Sequence, residues 1–253
     1  MQGAMQDAMI VAGAGLLGGA MNAIAGGGSF VTLPALVAAG VPSLFANATS
    51  TVALVPSALA TAFAYRHDSR GFNDVKLSKM AAISVVGGAI GAVLLLKTSQ
   101  KFFDNIFPFL LLFGVLVFAF GRKLGEELRK RINIHPHALP ATQFVLGIYG
   151  GYFGGAVGVM MLAVWSVLTT ATVNSMQSSR HLLNASMNAT ASVLFVAGGL
   201  IYWKEMAVLL VTSTIGGYLV GHYGRRLDPA KARIVISCLN AMITVLVFWR
   251  HYG

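Results

Sequence analysis

The residues of this chain that could do chemistry are polar but mostly uncharged, and they fall in two clusters. The first holds Asn22, Ser29, Thr32, Asn47, Thr49, Ser50, Thr51 and Ser57. The second holds Ser178, Ser179, Asn184, Ser186, Asn188 and Thr190, with two basic side chains, Arg180 and His181, among them. Hydroxyls, amides and backbone N–H groups donate to oxygen, and glycines let the backbone approach a ligand closely. An arginine can grip a sulfonate or carboxylate through two parallel hydrogen bonds. The set therefore suits an oxyanion. It does not suit a cation, a metal or a carboxylate proton relay, because all eight acidic residues (Asp7, Asp68, Asp74, Asp104, Glu126, Glu127, Glu205, Asp228) fall in loops or near segment ends. A membrane-embedded enzyme would need a nucleophile and base or metal ligands at depth. His181 has serines near it but no acidic partner, so no catalytic residue and no cofactor is expected.

These groups must be positioned by unusual backbone. Gly26-Gly27-Gly28-Ser29 interrupts an apolar run from about Ala8 to Ala39. Successive glycines cost a helix roughly 1 kcal/mol each against alanine. Pro34 lacks an N–H and is best tolerated in the first turn of a helix. The spacing predicts one helix ending near Ala25 and a second beginning at Ser29 or Phe30, capped by Ser29 or Thr32. In a membrane such a break is tolerated only where the freed groups line protein or a wet cavity. Half-helix N-termini at such breaks attract anions. Other features read as structure: Gly87-Gly88 with Gly91, and Gly216-Gly217 with Gly221, as packing faces; Met160-Met161 as core; His222 as interfacial; Arg129-Lys130-Arg131 as a solvated face beside anionic lipid.

The chain has 253 residues, 56% hydrophobic and 10% charged, with a mean hydropathy of +0.73. Soluble domains carry roughly 25% charged residues, so this composition is that of a polytopic membrane protein. The net charge of +10 sits in short clusters between apolar segments, where the positive-inside rule puts it, and does not indicate nucleic acid. The single cysteine, Cys238, excludes an intramolecular disulfide and a four-cysteine metal site. The start is long, glycine-rich and without a basic flank, unlike a removable signal peptide.

In order, the apolar segments are Met9–Ala25 and Phe30–Ala39 around the break, then Leu44–Tyr65, Leu77–Leu96 and Asn105–Gly121. A polar linker, 122–140, leads to Ala141–Thr170, Val173–Tyr202, Glu205–Tyr223 and Ala232–Trp249. Trp203, Trp249, Tyr202 and Tyr223 fall near segment ends, as interfacial aromatics do. At an offset of 132 positions, Gly18-Gly19 lies on Gly150-Gly151 and Gly26 on Gly158. Each half runs from a glycine-broken segment through a polar-tipped helix to two plain helices, a pattern of repeat transporters. If both broken segments are re-entrant hairpins, 14 of the 18 Lys and Arg fall on one face and 4 on the other; if both cross, the split is 11 to 7. The positive-inside rule favours hairpins. Three crossings per half then invert the second repeat against the first and put both termini outside.

The residues Gly18…Ala25-Gly26-Gly27-Gly28-Ser29-Phe30…Pro34, followed by Ala46-Asn47-Ala48-Thr49-Ser50, resemble the first repeat of the sulfite exporter TauE/SafE family: a glycine triplet, a proline and an A-x-x-T-S helix start. Gly150-Gly151…Gly154-Gly155-Ala156-Val157-Gly158, then Asn184…Asn188…Gly198-Gly199-Leu200-Ile201-Tyr202-Trp203, resembles its second repeat, with Gly158-Val159-Met160 standing at the second triplet. The resemblance implies an inner-membrane permease of sulfur oxyanions or small organosulfur anions such as sulfite, sulfoacetate or sulfolactate.

The expected architecture is all-α: a polytopic membrane helix bundle of two inverted repeats (1–121 and 141–253) joined by a cytoplasmic basic linker. It has about six full crossings and two broken segments. The expected function is export by alternating access, with the anion held by Gly27, Gly28, Ser29, Asn47, Thr49 and Ser50 from one half and Gly158, Arg180, His181, Asn184 and Asn188 from the other. A channel for another small anion, or import, stands as the alternative. The expected partners are the anion and membrane lipid; a homodimer is compatible with the sequence.

Overall fold

The computed structural model describes residues 2–64, 66, 71–72, 75–131, 138–169, 171, 173–223 and 229–252. Among them every regular element is a helix: α1 (Gln2–Ala25), α2 (Ser29–Ala38), α3 (Ser43–Ala64), α4 (Leu77–Lys97), α5 (Gln100–Arg131), α6 (Ala138–Tyr152), α7 (Val157–Leu168), α8 (Val173–Ala197), α9 (Trp203–Tyr223) and α10 (Pro229–Tyr252). Four contain stretches long and apolar enough to cross a membrane: Met5–Ile24, Ser43–Phe63, Leu77–Lys97 and Gln100–Gly121. Shorter apolar helices lie at Ser29–Ala38, Val157–Leu168 and Ser237–Trp249. This is a membrane helix bundle. With 25 residues, α8 is long enough to cross at 1.5 Å per residue, and its polar cluster explains its absence from the four.

Some expected boundaries move. Helix α5 continues to Arg131, so the first part of the supposed linker is helical, and α6 already begins at Ala138. The glycine-broken segment expected over Ala141–Thr170 is two helices, separated at Phe153–Ala156. The loops at 67–70, 132–137 and 224–228, and the side chains of His222 and Arg129-Lys130-Arg131, lie outside the described residues.

Close packing rests on glycine, and it occurs twice in matching form. A β-carbon on Gly19 would run into the Ser213 carbonyl oxygen, and one on Gly216 into that of Leu16. Between α4 and α6, a β-carbon on Gly151 would strike the Gly88 carbonyl oxygen, and one on Gly91 that of Ile148. Leu16 and Ile148, like Gly19 and Gly151, are 132 positions apart. Thus α1 packs on α9 as α6 packs on α4, and α3 meets α8 in the middle. Small residues give membrane helices this approach, which lipid itself does not drive. Gly87, Gly88, Gly91, Gly216 and Gly217 have the packing role read for them, the surroundings of Gly221 lie outside the described residues, and Met160 and Met161 are buried core.

Polar ties cross the seams. Gln143 donates through Nε2 to Ser84 Oγ at 2.8 Å and accepts from Trp165 Nε1 at 3.2 Å, joining α4, α6 and α7. Trp203 and Trp249 are exposed at the ends of α9 and α10.

Candidate functional site

The first break forms where the sequence puts it. Helix α1 ends at Ala25, Gly26 takes a left-handed φ of +73°, and α2 starts at Ser29. The N-cap differs from expectation. It is Gly28, with no side-chain cap; Thr32 Oγ1 instead donates back to the Gly28 carbonyl at 3.2 Å. Pro34 lies in the second turn of α2 rather than the first. Glycine at 28 is also demanded by packing, because a β-carbon there would strike the Gly18 carbonyl oxygen. A β-carbon on Gly18 would in turn meet Thr32, so α2 doubles back beside α1. The first helical bonds of α2 run from Phe30 and Val31 to Gly27 and Gly28, at 3.2 and 3.1 Å. The Ser29 N–H stands at the open end of that ladder.

The second break corrects the sequence register. Its left-handed residues are Gly154 (φ +74°) and Ala156 (φ +59°), and Gly158 is already the second residue of α7. The counterpart of Gly26 is therefore Gly154, at an offset of 128, because α1 runs one helical turn further past its packing seam than α6 does. Gly158 matched at 132 only because it is also a glycine.

Both breaks open on one polar cavity. It is lined by Asn22, Gly26 and Ser29 from the first hairpin, Thr51, Leu54 and Ala58 from α3, Gly154 from the second break, and Asn184 and Asn188 from α8. Its volume is about 10 Å³, roughly enough for one water and too little for a larger anion. The two asparagines stand one helical turn apart, and Asn188 Nδ2 donates to Asn184 Oδ1 at 3.0 Å. Beside them lies Arg180, 2% exposed. A β-carbon on Gly26 would sit 3.7 Å from its Nη1, and one on Gly158 would sit 3.3 Å from its Cδ. The guanidinium is thus held where the first break meets the start of α7. Its Nη2 lies 3.2 Å from His181 Nε2; a guanidinium only donates, so the imidazole nitrogen accepts. In the other half, Gly154 faces Thr51 Oγ1 and Asn188 Oδ1, at 3.8 and 3.6 Å from its would-be β-carbon. One break faces a cation and the other faces neutral oxygens.

The chain was compared with known proteins. The family model described as sulfite exporter TauE/SafE matches residues 11–247. The chain belongs to the TauE/SafE family. Among TauE/SafE relatives, the "Probable membrane transporter protein YfcA" of Escherichia coli (strain K12) is 32% identical over 244 residues, covering 94% of this chain and 88% of that protein. A "Probable membrane transporter protein" of Haemophilus influenzae is 29% identical over 235 residues, covering 92% and 89%. "Probable membrane transporter protein ORF9" of a Sinorhizobium species is 27% identical, covering 92% and 87%. No solved structure matches. Family and relatives' names indicate a multi-pass membrane transporter rather than an enzyme.

Of the residues that the sequence nominated in this TauE/SafE chain, Ser29, Asn184 and Asn188 line the cavity, and Gly158, Arg180 and His181 are beside it through Arg180. Gly27 and Gly28 shape the break. Asn47, Thr49 and Ser50 are engaged elsewhere. Asn47 Nδ2 donates to the Tyr152 carbonyl at 2.9 Å, closing the end of α6. Thr49 Oγ1 accepts from the Tyr202 N–H at 3.1 Å, tying α3 to the start of α9. Ser50 Oγ and Thr32 Oγ1 share a bond of 2.6 Å between α3 and α2. The cavity residues left out of the nominated set are Asn22, Gly26, Thr51 and Gly154, with the apolar Leu54 and Ala58. Asn22 and Thr51 carried the same signal as the others, a neutral polar side chain in an apolar run, and Gly26 opens the triplet.

Proposed function

We propose that the protein is a secondary transporter of the inner membrane that exports a small sulfur-containing anion, such as sulfite, sulfoacetate or sulfolactate, bound between the two helix breaks. The observation that carries this is Arg180, buried to 2% exposure and held against Gly26 and Gly158. A buried cation beside amides, hydroxyls and a helix N-terminus is an anion receptor, and none of the lining residues is acidic. The family's description, sulfite exporter, supports sulfur oxyanions as the class.

The halves read as inverted repeats, a reading supported by the twofold recurrence of the glycine seams. The first hairpin is read as re-entrant because α2 doubles back on α1, and basic loops then face the cytoplasm. Cysteines introduced at positions 3 and 252 label from outside in this topology; labelling from the cytoplasmic side overturns it. The cavity is too small for sulfite, so the hairpins must part to load it. That favours alternating access over an open channel.

The test is a thermal-shift screen of purified protein with sulfite, sulfate, thiosulfate, sulfoacetate, sulfolactate, taurine, acetate and phosphate. It is repeated on Arg180→Ala and Ser29→Ala. Ligand at 100 times its Kd stabilises by about 2.7 kcal/mol. A shift by one sulfur oxyanion that both variants lose is the expected result. A shift that survives both overturns the site; shifts by acetate and phosphate equal to those of the sulfur anions overturn the class.

A further inference from the structure

A second cavity, far larger than the polar one, lies between α2, α5 and α10. It measures about 710 Å³, and its walls are apolar, built from Val31, Ala35, Ala38, Phe107, Ile243 and Val247 among others. By contrast, α7 lies tightly on α5, with a β-carbon on Gly121 3.5 Å from that of Ala163, whereas α2 touches α10 over a much smaller stretch. One end of the cleft is polar. Ser43 Oγ donates to Asp104 Oδ1 at 2.6 Å, and Gln100 Nε2 donates to the same oxygen at 2.7 Å. A carboxylate offers about four acceptor positions, so Oδ2 is left for another donor. The Asp104 carboxylate thus stands at the head of an apolar cleft, at the start of α5, with the exposed Trp249 also on its wall. Aromatic residues of this kind mark the membrane–water interface.

We propose that this cleft binds one phospholipid whose headgroup ends in a primary ammonium, with an acyl chain against α2 and α10. An ammonium brings three N–H donors and a positive charge, which suit the open Asp104 Oδ2 on the cleft wall. Lys101, exposed and three residues before Asp104 on the same helix face, supplies charge for the phosphate. A quaternary ammonium has no N–H and cannot make these bonds. The carboxylate disfavours an anionic headgroup.

The full-length protein, stripped of lipid in detergent, is titrated in native mass spectrometry with dioleoyl phosphatidylethanolamine, its N-methyl and N,N-dimethyl forms, phosphatidylcholine and phosphatidylglycerol. One phosphatidylethanolamine binds about tenfold more tightly than phosphatidylcholine, the gain of a charge-assisted bond, and affinity falls stepwise with each methyl. Asp104→Asn binds both lipids alike. Ala38→Phe, which fills the cleft and leaves the carboxylate, binds neither at the tight site. Because the methylation series needs no substitution, it decides the matter even if a variant fails to fold. Equal binding across the series, a preference for phosphatidylglycerol, or a dimer mass with no bound lipid overturns the proposal.

Discussion

The Arg180 guanidinium lies against Gly26, with Nη1 3.7 Å from where a β-carbon would stand, an ordinary van der Waals distance. Gly26 is therefore required to be glycine by its backbone and not by its neighbour: its φ of +73° costs an L-residue about 1–2 kcal/mol. Gly40 is the control. Its φ is +87°, with nothing within 4 Å of a β-carbon, so Gly40→Ala loses stability but not anion affinity. Gly158→Ala does the reverse. Its backbone is helical, and its β-carbon would press on Arg180 Cδ at 3.3 Å. We expect Gly158→Ala to weaken anion binding about tenfold with a small change in melting temperature, and Gly26→Ala, like Gly40→Ala, to lose stability. Isothermal titration beside thermal unfolding measures the pair of effects.

The glycine seams give a sharper stability test. In Gly19→Ala and Gly151→Ala the new β-carbons meet the carbonyl oxygens of Ser213 and Gly88, backbone atoms that no rotamer change can move. Each substitution is expected to cost about 1–3 kcal/mol through overpacking. Gly13 lies on the same helix as Gly19 with open space around its Cα. Gly13→Ala is expected to be neutral or to stabilise by up to about 1 kcal/mol, the helix preference for alanine. Equal melting temperatures for Gly13→Ala and Gly19→Ala would remove the seam from the account.

Asn47 and Asn184 looked alike in the sequence, and the structure separates them. Asn47 caps the end of α6 through the Tyr152 carbonyl; Asn184 lines the cavity. Asn47→Ala leaves a buried carbonyl without its donor, which costs about 1–3 kcal/mol, and should leave the anion Kd within about twofold. Asn184→Ala should raise the Kd by about tenfold while costing less stability. Binding isotherms on both variants check this.

How much was legible follows from these cases. The first break could be read because three glycines defeat a helix wherever they stand, and the seams because glycine pairs in apolar helices rarely serve anything but approach. The second break lies among the glycines that the sequence marked, but Gly26 was paired with the wrong one, because a constant offset was carried through a point where α1 holds one more turn than α6, and Gly158 offered a false match. The roles of Asn47, Thr49 and Ser50 were hidden for another reason. A polar side chain at membrane depth must find a partner, but its type does not say whether that partner is a ligand or a neighbouring helix. Arg180 stood out because a buried cation has few structural uses, and geometry then supplied its neighbours. Asp104 was passed over as a loop residue, since nothing in its own segment announces the cleft formed by α2 and α10.

The energetics of transport follow from what lines the cavity. Its walls include asparagine, serine and threonine but no carboxylate, so an anion crossing there has no acidic group through which to exchange a proton. An inside-negative potential contributes about 2.3 kcal/mol per charge for each 100 mV, which drives a monovalent anion outward by nearly fiftyfold in concentration at equilibrium. We expect efflux from liposomes to follow a potassium-diffusion potential and to ignore a pH gradient. His181 is a titratable group in contact with Arg180 that could change this, through the 3.2 Å bond to Nη2. Efflux that tracks the pH gradient in the wild type and loses that dependence in His181→Gln would replace the uniport account with proton coupling at His181. Efflux that follows the potential equally in both proteins leaves His181 as a positioning residue for Arg180. In that case His181→Gln should raise the Kd for the anion without changing the voltage dependence.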